Sequence, residues 1–257
     1  MTGRSPQTRV LLWSSPRSVS TAFEHSVCSL PQVKGFHEPY SSAFYLGEEK
    51  RSPRYRDAEP LTGFRYAQVR ERLEAQYPEA QALFVKDMAY AFERDLSLLP
   101  AGYTHSFLIR DPRHSVTSLH RILSGGNVPE WREFIELEIS LEDLRWLFQV
   151  RRDCGEKPAL VVADDLLRSP ESIMAQYCEA VGLEYDPSML SWEAPLSDER
   201  SVVWQGDWYE TLASSGGFDG RVTERTPDLD SLPSEVRRAI DANLPIYEEL
   251  REYRIRP

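Results

Sequence analysis

A short loop of hydroxyl side chains around one arginine is the part of this sequence best suited to chemistry. It runs from Pro16 to Thr21, between an apolar run and a segment with helical spacing, and it holds Arg17, Ser18 and Ser20. A loop in that position points backbone N–H groups and a helix N-terminus at one place, where the arginine and the hydroxyl groups add further donors. The sequence therefore predicts a cradle for a phosphate or sulfate group.

The loop is unlike the ATP-binding type of phosphate loop. That type has the pattern GxxxxGK[ST], and this sequence lacks both its glycines and its lysine. A helix that is simply capped by Ser18 or Ser20 would account for one hydroxyl group. It would not account for an arginine beside three further hydroxyl-bearing residues, so the anion site is the favoured interpretation.

A second charged segment follows another apolar run. Arg110 stands at the end of that run, within the sequence Arg110–Arg113 (RDPR), and Ser118 lies about two helical turns further on. Open α/β sheets bind ligands at the carboxyl ends of their strands, so Arg110 and Ser118 are candidates to hold a second anion. An Arg-Asp pair that merely caps a helix is the common alternative.

The elements that must position these residues alternate along the chain. Short apolar runs rich in β-formers are separated by amphipathic segments, which is typical of βαβ units around a parallel sheet. The predicted strands are Val10–Ser14, Val33–Phe36, Leu83–Lys86, Ser106–Arg110 and Ala159–Ala163. The predicted helices are Thr21–Leu30, Tyr66–Tyr77, Ser115–Leu123, Glu130–Arg152, Pro170–Val181 and Pro233–Leu250.

Two stretches interrupt this alternation, Ser41–Gly63 and Ser191–Asp230. Long irregular segments in a compact domain are commonly lids or binding loops. The first stretch is expected to form a pocket for a small molecule together with the predicted helix Glu130–Arg152. The aromatic residues that could wall this pocket are Tyr45, Tyr55, Trp131, Phe134 and Trp146.

Length and charge narrow the class of protein. A chain of 257 residues suits one α/β domain, over residues 1–257, with a single core. Its formal net charge of −11 disfavours nucleic acid and anionic membranes as partners. The apolar run after the polar N-terminus is too short for a signal or a membrane span, and the three widely spaced cysteines fit free thiols. A cytoplasmic protein is expected.

Together, the motifs resemble those of the sulfotransferases that use 3′-phosphoadenosine 5′-phosphosulfate (PAPS). The loop Pro16–Thr21 (PRSVST) is similar to that family's 5′-phosphosulfate loop, and Arg110–Arg113 with Ser118 resembles its 3′-phosphate motif. The segment Ala159–Leu183 is similar to the family's late strand, the turn after it and the following helix end. The three motifs also occur in the family's order.

The resemblance implies a P-loop NTPase-like fold, a three-layer α/β sandwich around a parallel sheet. It also implies PAPS as the sulfuryl donor, adenosine 3′,5′-bisphosphate (PAP) as the product, a small-molecule acceptor and no metal. The residues that it places around the donor are Arg17, Ser18, Val19, Ser20 and Thr21 for the 5′-phosphosulfate, with Arg110 and Ser118 for the 3′-phosphate.

Two positions in the loop depart from the family pattern. Val19 stands where the family usually carries glycine, and a β-branched residue resists the positive φ that glycine permits, so a remodelled loop is expected. Arg17 replaces the lysine of the cytosolic aryl and steroid enzymes. That arginine brings the sequence nearer to the bacterial and carbohydrate-type branches.

The resemblance also points to candidates for the chemical step. Related bacterial enzymes carry an acidic residue before a proline in the region of Glu38, which makes Glu38 the preferred base. His37 stays open as the base, because an imidazole titrates near neutral pH whereas a carboxyl group needs burial to do so. Arg17 and Lys86 could supply positive charge on the leaving side, although a lysine that ends a strand is often a surface residue with a buried stem.

Three functions remain open at this point. The first is transfer of a sulfuryl group from PAPS to a hydroxyl or amine of a small molecule by in-line displacement. The second is a catalytically inactive sensor or scaffold of the same fold, and the third is a P-loop kinase for small molecules. The sequence leaves the oligomeric state open, with a homodimer as one option.

Overall fold

Five parallel strands form one sheet in the computed structural model, which describes residues 7–125, 129–131, 133–192, 216–218 and 227–257. The strands are β1 (Thr8–Ser14), β2 (Val33–His37), β3 (Ala82–Met88), β4 (Thr104–Ile109) and β5 (Ala159–Val162). The order across the sheet is β2-β3-β1-β4-β5, and every neighbouring pair is parallel. The first strand of the chain therefore lies in the middle of the sheet.

Helices cover both faces of this sheet. Within the described residues they are α1 (Ser20–Cys28), α2 (Pro39–Leu46), α3 (Tyr66–Glu74), α4 (Pro112–Gly125), α5 (Glu136–Ile139), α6 (Glu142–Asp153), α7 (Ala163–Arg168), α8 (Pro170–Val181) and α9 (Ser234–Arg251). The buried side chains of α1, α7 and α8 form the core on one face of the sheet, and those of α2, α3, α4, α6 and α9 form the core on the other. The predicted three-layer α/β sandwich is confirmed.

The sequence of β1 explains why it takes the central position. Leu11 and Trp13 enter one core, while Val10 and Leu12 enter the other, and none of these four side chains is exposed. A strand that is buried on both faces reads as a continuous apolar run, because alternate side chains point to opposite layers.

The five predicted strands are all present, and the predicted helix Pro170–Val181 has the same bounds as α8. The single helix predicted over Glu130–Arg152 is wrong. The structure has a short 3₁₀ turn at Pro129–Trp131 and then the separate helices α5 and α6. Ser140 has an extended backbone between them, and the side chain of Asn243 on α9 accepts the next backbone N–H, that of Leu141, at 2.7 Å. This contact with α9 takes the place of the hydrogen bond that the N–H of Leu141 would make within one continuous helix.

The stretch Ser41–Gly63 is only partly irregular, because its first six residues belong to α2. Pro39 opens this helix in the first turn, where the missing N–H of proline costs nothing. Of the second stretch, Ser191–Asp230, residues 193–215 and 219–226 lie outside the described residues.

A buried ion pair ties the first stretch to α5. The guanidinium of Arg54 donates to both carboxylate oxygens of Glu138, at 2.7 and 2.6 Å, and these side chains are 3% and 2% exposed. Arg54 also lies 4.0 Å over the ring of Trp131, and the hydroxyl of Tyr45 donates to Glu138 at 2.8 Å. Because Tyr45 lies in the last turn of α2, this pair fixes the far end of the helix that starts beside Glu38.

Replacing Glu138 with alanine should lower the free energy of unfolding by about 3–5 kcal/mol, because Arg54 would stay buried without its counter-charge. Urea denaturation of Glu138→Ala measures this loss. Glu142→Ala is the matched control, since Glu142 pairs with Arg145 on the surface and should contribute less than about 1 kcal/mol. Equal small losses in both variants would contradict the assigned role of the buried pair.

Candidate active site

The residues predicted to carry chemistry meet at the carboxyl edge of the sheet. The loop Ser15–Val19 follows β1, Arg110 follows β4, Lys86 lies near the end of β3, and His37 ends β2. Strands β3 and β2 lie on one side of β1, and β4 and β5 lie on the other. The connections after β1 therefore diverge at this edge, which forms a crevice of the kind where open α/β sheets bind ligands.

The loop after β1 takes a strained backbone. Arg17 has φ 62° and Val19 has φ 71°, both in the left-handed region that favours glycine. The hydroxyl of Ser18 donates to the carbonyl of Ser15 at 2.7 Å, and the N–H of Phe23 donates to the carbonyl of Val19 at 3.0 Å, which starts α1. Val19 therefore adopts the positive φ that a β-branched residue resists, at a cost of roughly 1–2 kcal/mol.

The second motif contacts this loop directly. The Nε of Arg17 donates to the hydroxyl of Ser118 on α4 at 3.2 Å, and the Nη1 of Arg110 donates to the carbonyl of Arg17 at 3.0 Å. Burial, and then the nearby charges of Arg110 and Arg121, lower the pKa of Arg17 to about 10. Cations this close repel each other, and an anion between them would relieve that repulsion.

Two buried polar atoms beside this cluster fit an anionic ligand. The hydroxyl of Ser15 and the Nε of Arg110 are buried and have no hydrogen-bond partner within the described residues, and the carboxylate of Asp164 lies 3.9 Å from that Nε. Buried polar atoms in native proteins are nearly always paired, so a ligand oxygen is a suitable partner for both. The loop residues Ser20 and Thr21 lie in the first turn of α1, where their backbone N–H groups lack helical partners.

A row of alternating charges lies at the same edge of the sheet, on the side of β2 and β3. The carboxylate of Glu24 contacts Nδ1 of His37 at 2.6 Å, and Nε2 of His37 lies 3.8 Å from Oε1 of Glu38. Lys86, which has no exposed surface, donates through Nζ to the same Oε1 of Glu38. The structure thus brings together Glu38, His37 and Lys86 and excludes the surface interpretation of the lysine.

The neighbours of His37 determine its charge. Burial alone would lower its pKa, but the carboxylates of Glu24 and Glu38 outweigh burial and the ammonium of Lys86, so the pKa is raised above its ordinary value. An imidazolium has no free nitrogen lone pair, so it donates rather than accepts a proton. Carboxylates on both sides of the His37 ring favour its charged form, so Glu38 suits the role of base better than His37.

Sequence reasoning missed two buried carboxylates in this region. Asp87, next to Lys86, accepts hydrogen bonds from the backbone N–H groups of Tyr40, Ser41 and Met88 and from the hydroxyl of Ser41. Burial and the charge of Glu38 raise the pKa of Asp87 to about 7, against the effect of these hydrogen bonds. Asp87 thereby holds the first turn of α2 beside Glu38, whose backbone is also left-handed at φ 45°.

Glu24 is the second missed residue. It lies on the buried face of α1, between Phe23 and Val27, and is 3% exposed. A carboxylate among the apolar positions of a helix was the available signal, because such a group needs a partner. The sequence alone does not show which residue that partner is.

Two cavities lie away from this edge. One of about 660 Å³ is at the opposite edge of the sheet, near Thr8, Val33 and Ala82, and its lining includes no lysine, arginine or histidine, so it does not suit an anion. The other, of about 630 Å³, lies where residues 53–58 meet Glu130, Glu133 and Ile135. It involves both segments predicted to form the acceptor pocket and includes Tyr55, whereas Tyr45 and Trp131 are buried in the core.

Two further properties concern the described part of the chain. No group of three or more His, Cys, Asp or Glu side chains there is arranged to hold a metal ion. None of the helices in those segments is both long and apolar enough to cross a membrane.

Comparison with known proteins gives related sequences and folds. In Arabidopsis thaliana, branched-chain-amino-acid aminotransferase-like protein 2 is 28% identical over 256 residues, and protein 1 of the same name is 25% identical over 259 residues. The matches cover 93% and 94% of this chain but only 40% and 41% of those proteins. This chain thus spans about two fifths of the length of these relatives.

Solved structures share the fold. The sulfotransferase domain of the Synechococcus PCC 7002 olefin synthase superposes with a TM-score of 0.54 at 14% identity, covering 96% of this chain and 98% of that domain. The sulfotransferase domain of the curacin biosynthetic pathway gives 0.51 at 16% identity, with 99% and 100% covered. The family model described as "Sulfotransferase domain" matches residues 8–252, which is nearly the whole chain, and the protein belongs to that family.

Proposed function

We propose that this protein transfers a sulfuryl group from PAPS to a hydroxyl or amine of a small molecule. Membership of the sulfotransferase domain family supports the reaction class. The observation that carries the choice of donor is the 3.2 Å hydrogen bond from Arg17 to Ser118, because it joins the loop after β1 to the second turn of α4. Two adjacent anion sites fit a ligand with anionic groups at both the 5′ and 3′ positions.

Each half of this arrangement would hold one end of the donor. The backbone N–H groups of the loop and the side chains of Arg17, Ser18, Ser20 and Thr21 bind the 5′-phosphosulfate, while Arg110 and Ser118 bind the 3′-phosphate. Val19 contributes its backbone, in the conformation that curves the loop around the anion. The bound donor supplies the sulfuryl group and, after transfer, leaves as PAP.

Glu38 is the proposed base. Lys86 and His37 both lie against its Oε1, which leaves Oε2 as the oxygen that takes the proton of the acceptor. The acceptor oxygen or nitrogen forms its bond to sulfur as the bond from sulfur to the bridging oxygen breaks, and the electron pair of that bond goes to the departing phosphate. Arg17 and Lys86 stabilise the negative charge that develops on the leaving side.

The proposal also covers the cellular compartment, the type of acceptor and the absence of a metal. The three cysteines are free thiols, which suits a reducing compartment, and we assign the protein to the cytoplasm. The net charge of −11 suits a small-molecule acceptor better than a nucleic acid or an anionic membrane. The chemistry needs no metal, because arginine and lysine supply the positive charge.

The 3′-phosphate should account for part of the affinity for PAP, and Arg110→Ala should remove that part. A hydrogen bond to a charged group contributes about 1.5–3 kcal/mol, so the affinity for PAP should fall roughly 10- to 100-fold. The affinity for AMP, which has no 3′-phosphate, should fall much less, because it loses only the support that Arg110 gives the loop through the carbonyl of Arg17. Isothermal titration without added metal measures both affinities.

Arg237→Ala is the control for this titration, since Arg237 is exposed on α9 and should leave both affinities unchanged. Equal losses for PAP and AMP in the Arg110 variant would contradict the assigned 3′-phosphate contact. Failure of the unaltered protein to bind PAP, or equal binding of ADP, would end the PAPS proposal. Preference for ATP with Mg²⁺ would favour the kinase instead.

Glu38→Gln should separate catalysis from binding. The amide keeps the shape of the side chain but cannot take the proton, so kcat should fall on the order of 10²-fold or more while the affinity for PAP stays close to its original value. Transfer from radiolabelled PAPS to a panel of phenols, alcohols and amines measures kcat.

Glu71→Gln, an exposed position on α3, is the matched control and should keep full activity. An unchanged kcat in Glu38→Gln would rule out Glu38 as the base and return that role to His37. PAP binding without turnover of any acceptor in the panel would favour the sensor or scaffold.

A further inference from the structure

Helix α1 connects the anion loop to the row of charges beside β2. Its first residues, Ser20 and Thr21, belong to the loop, and Glu24 follows one turn later. The side chain of Glu24 is 4% exposed and points at His37, with Oε2 at 2.6 Å from Nδ1. A carboxylate buried this deeply is strongly unfavourable unless it is paired with an opposite charge.

We infer that Glu24 is a positioning residue, which holds His37 in its doubly protonated form with Nε2 directed at Glu38. Its role in the reaction rests on the proposed function, because that role is to orient the base. Glu24 itself lies behind His37 and acts on Glu38 only through the imidazolium.

The charges around His37 support this assignment. Within the described residues, Glu24 faces the ring from α1, Glu38 from the turn between β2 and α2, and Lys86 from β3. The carboxylates lie on both sides of the ring, Glu24 at Nδ1 and Glu38 toward Nε2, and both favour its protonated form. The 2.6 Å contact is short, as expected for a hydrogen bond between an imidazolium and a carboxylate.

The contact also has a geometric consequence. Because α1 starts at the loop and His37 ends β2, the Glu24–His37 bond fixes the helix against the strand at the point where the base begins. This hydrogen bond therefore helps to set the distance between the proposed sulfuryl site and Glu38, together with the Lys86–Glu38 pair. An error of about 1 Å in such a distance can cost about 10²-fold in rate.

Nuclear magnetic resonance of the ¹⁵N-labelled imidazole of His37 tests this inference without a donor or an acceptor. In the unaltered protein at pH 7, both ring nitrogens should carry protons. In Glu24→Gln the pH midpoint of the His37 titration should fall by about one unit or more, because the amide keeps the shape of the side chain and removes the charge. Glu79→Gln, which alters a surface partner of Lys34, should leave the midpoint unchanged.

A neutral His37 in the unaltered protein at pH 7 would overturn the inference, and this measurement requires no variant. An unchanged midpoint in a folded Glu24→Gln protein would overturn it as well. If Glu24→Gln fails to fold, Glu24→Asp provides the second test. It keeps the charge, so His37 should stay protonated at pH 7, and a neutral ring there would also count against the assignment.

Activity adds a second readout that depends on the proposed function. Glu24→Gln should lower kcat at least tenfold with little change in the affinity for PAP, and the remaining kcat should fall as the pH rises through the new His37 midpoint. Glu79→Gln should show neither change. If the unaltered protein does not bind PAP, the proposed function is wrong, but the resonance result on His37 is unaffected. Failure of the proposed function and failure of this inference can therefore be told apart.

Discussion

The ammonium group of Lys86 has no contact with solvent, and a buried charge of this kind destabilises the fold unless a counter-charge lies beside it. Glu38 supplies that counter-charge. It can reach Lys86 because its backbone turns sharply into α2, and α2 can begin there because Asp87 accepts the N–H groups of Tyr40 and Ser41. One lysine in β3 thus governs where the strand, the turn and the helix meet.

Backbone strain is concentrated around the same edge of the sheet. Among the described residues other than glycine, six have positive φ, and Arg17, Val19 and Glu38 are three of them. Such conformations persist only where the surrounding contacts are strong enough to hold them, which is common at functional sites. Here the Ser18–Ser15 bond and the contact of Arg110 with the carbonyl of Arg17 hold the loop. The strained backbone of the site therefore lowers the stability of the fold, and the surrounding contacts offset that loss.

The sequence predicted the sheet well because β1, β3, β4 and β5 are largely buried and read as apolar runs, while β2 at the edge is only partly buried. It also predicted the loop after β1, where an unusual set of residue types marks a local structure. It did not predict the break between α5 and α6, since the side chain of Asn243 that accepts the N–H of Leu141 comes from α9, far along the chain. Glu24 and Asp87 were missed for the same reason. Their partners are set by how α1, β2, β3 and α2 pack, and a local pattern carries no information on that packing.

The central place of β1 has a consequence for how the chain acquires its structure. β1 is the first of the five strands to leave the ribosome, yet its neighbours are β3 and β4, which follow much later. Until Met88 has emerged, β1 has no strand to pair with, and until Ile109 has emerged, its second edge stays open. During synthesis of the segment up to Ile109, the apolar side chains of β1 lack their native neighbours. Folding therefore depends on contacts between distant parts of the chain. A fragment that stops before β4 therefore lacks a complete core, with the apolar side chains of β1 left without their partners.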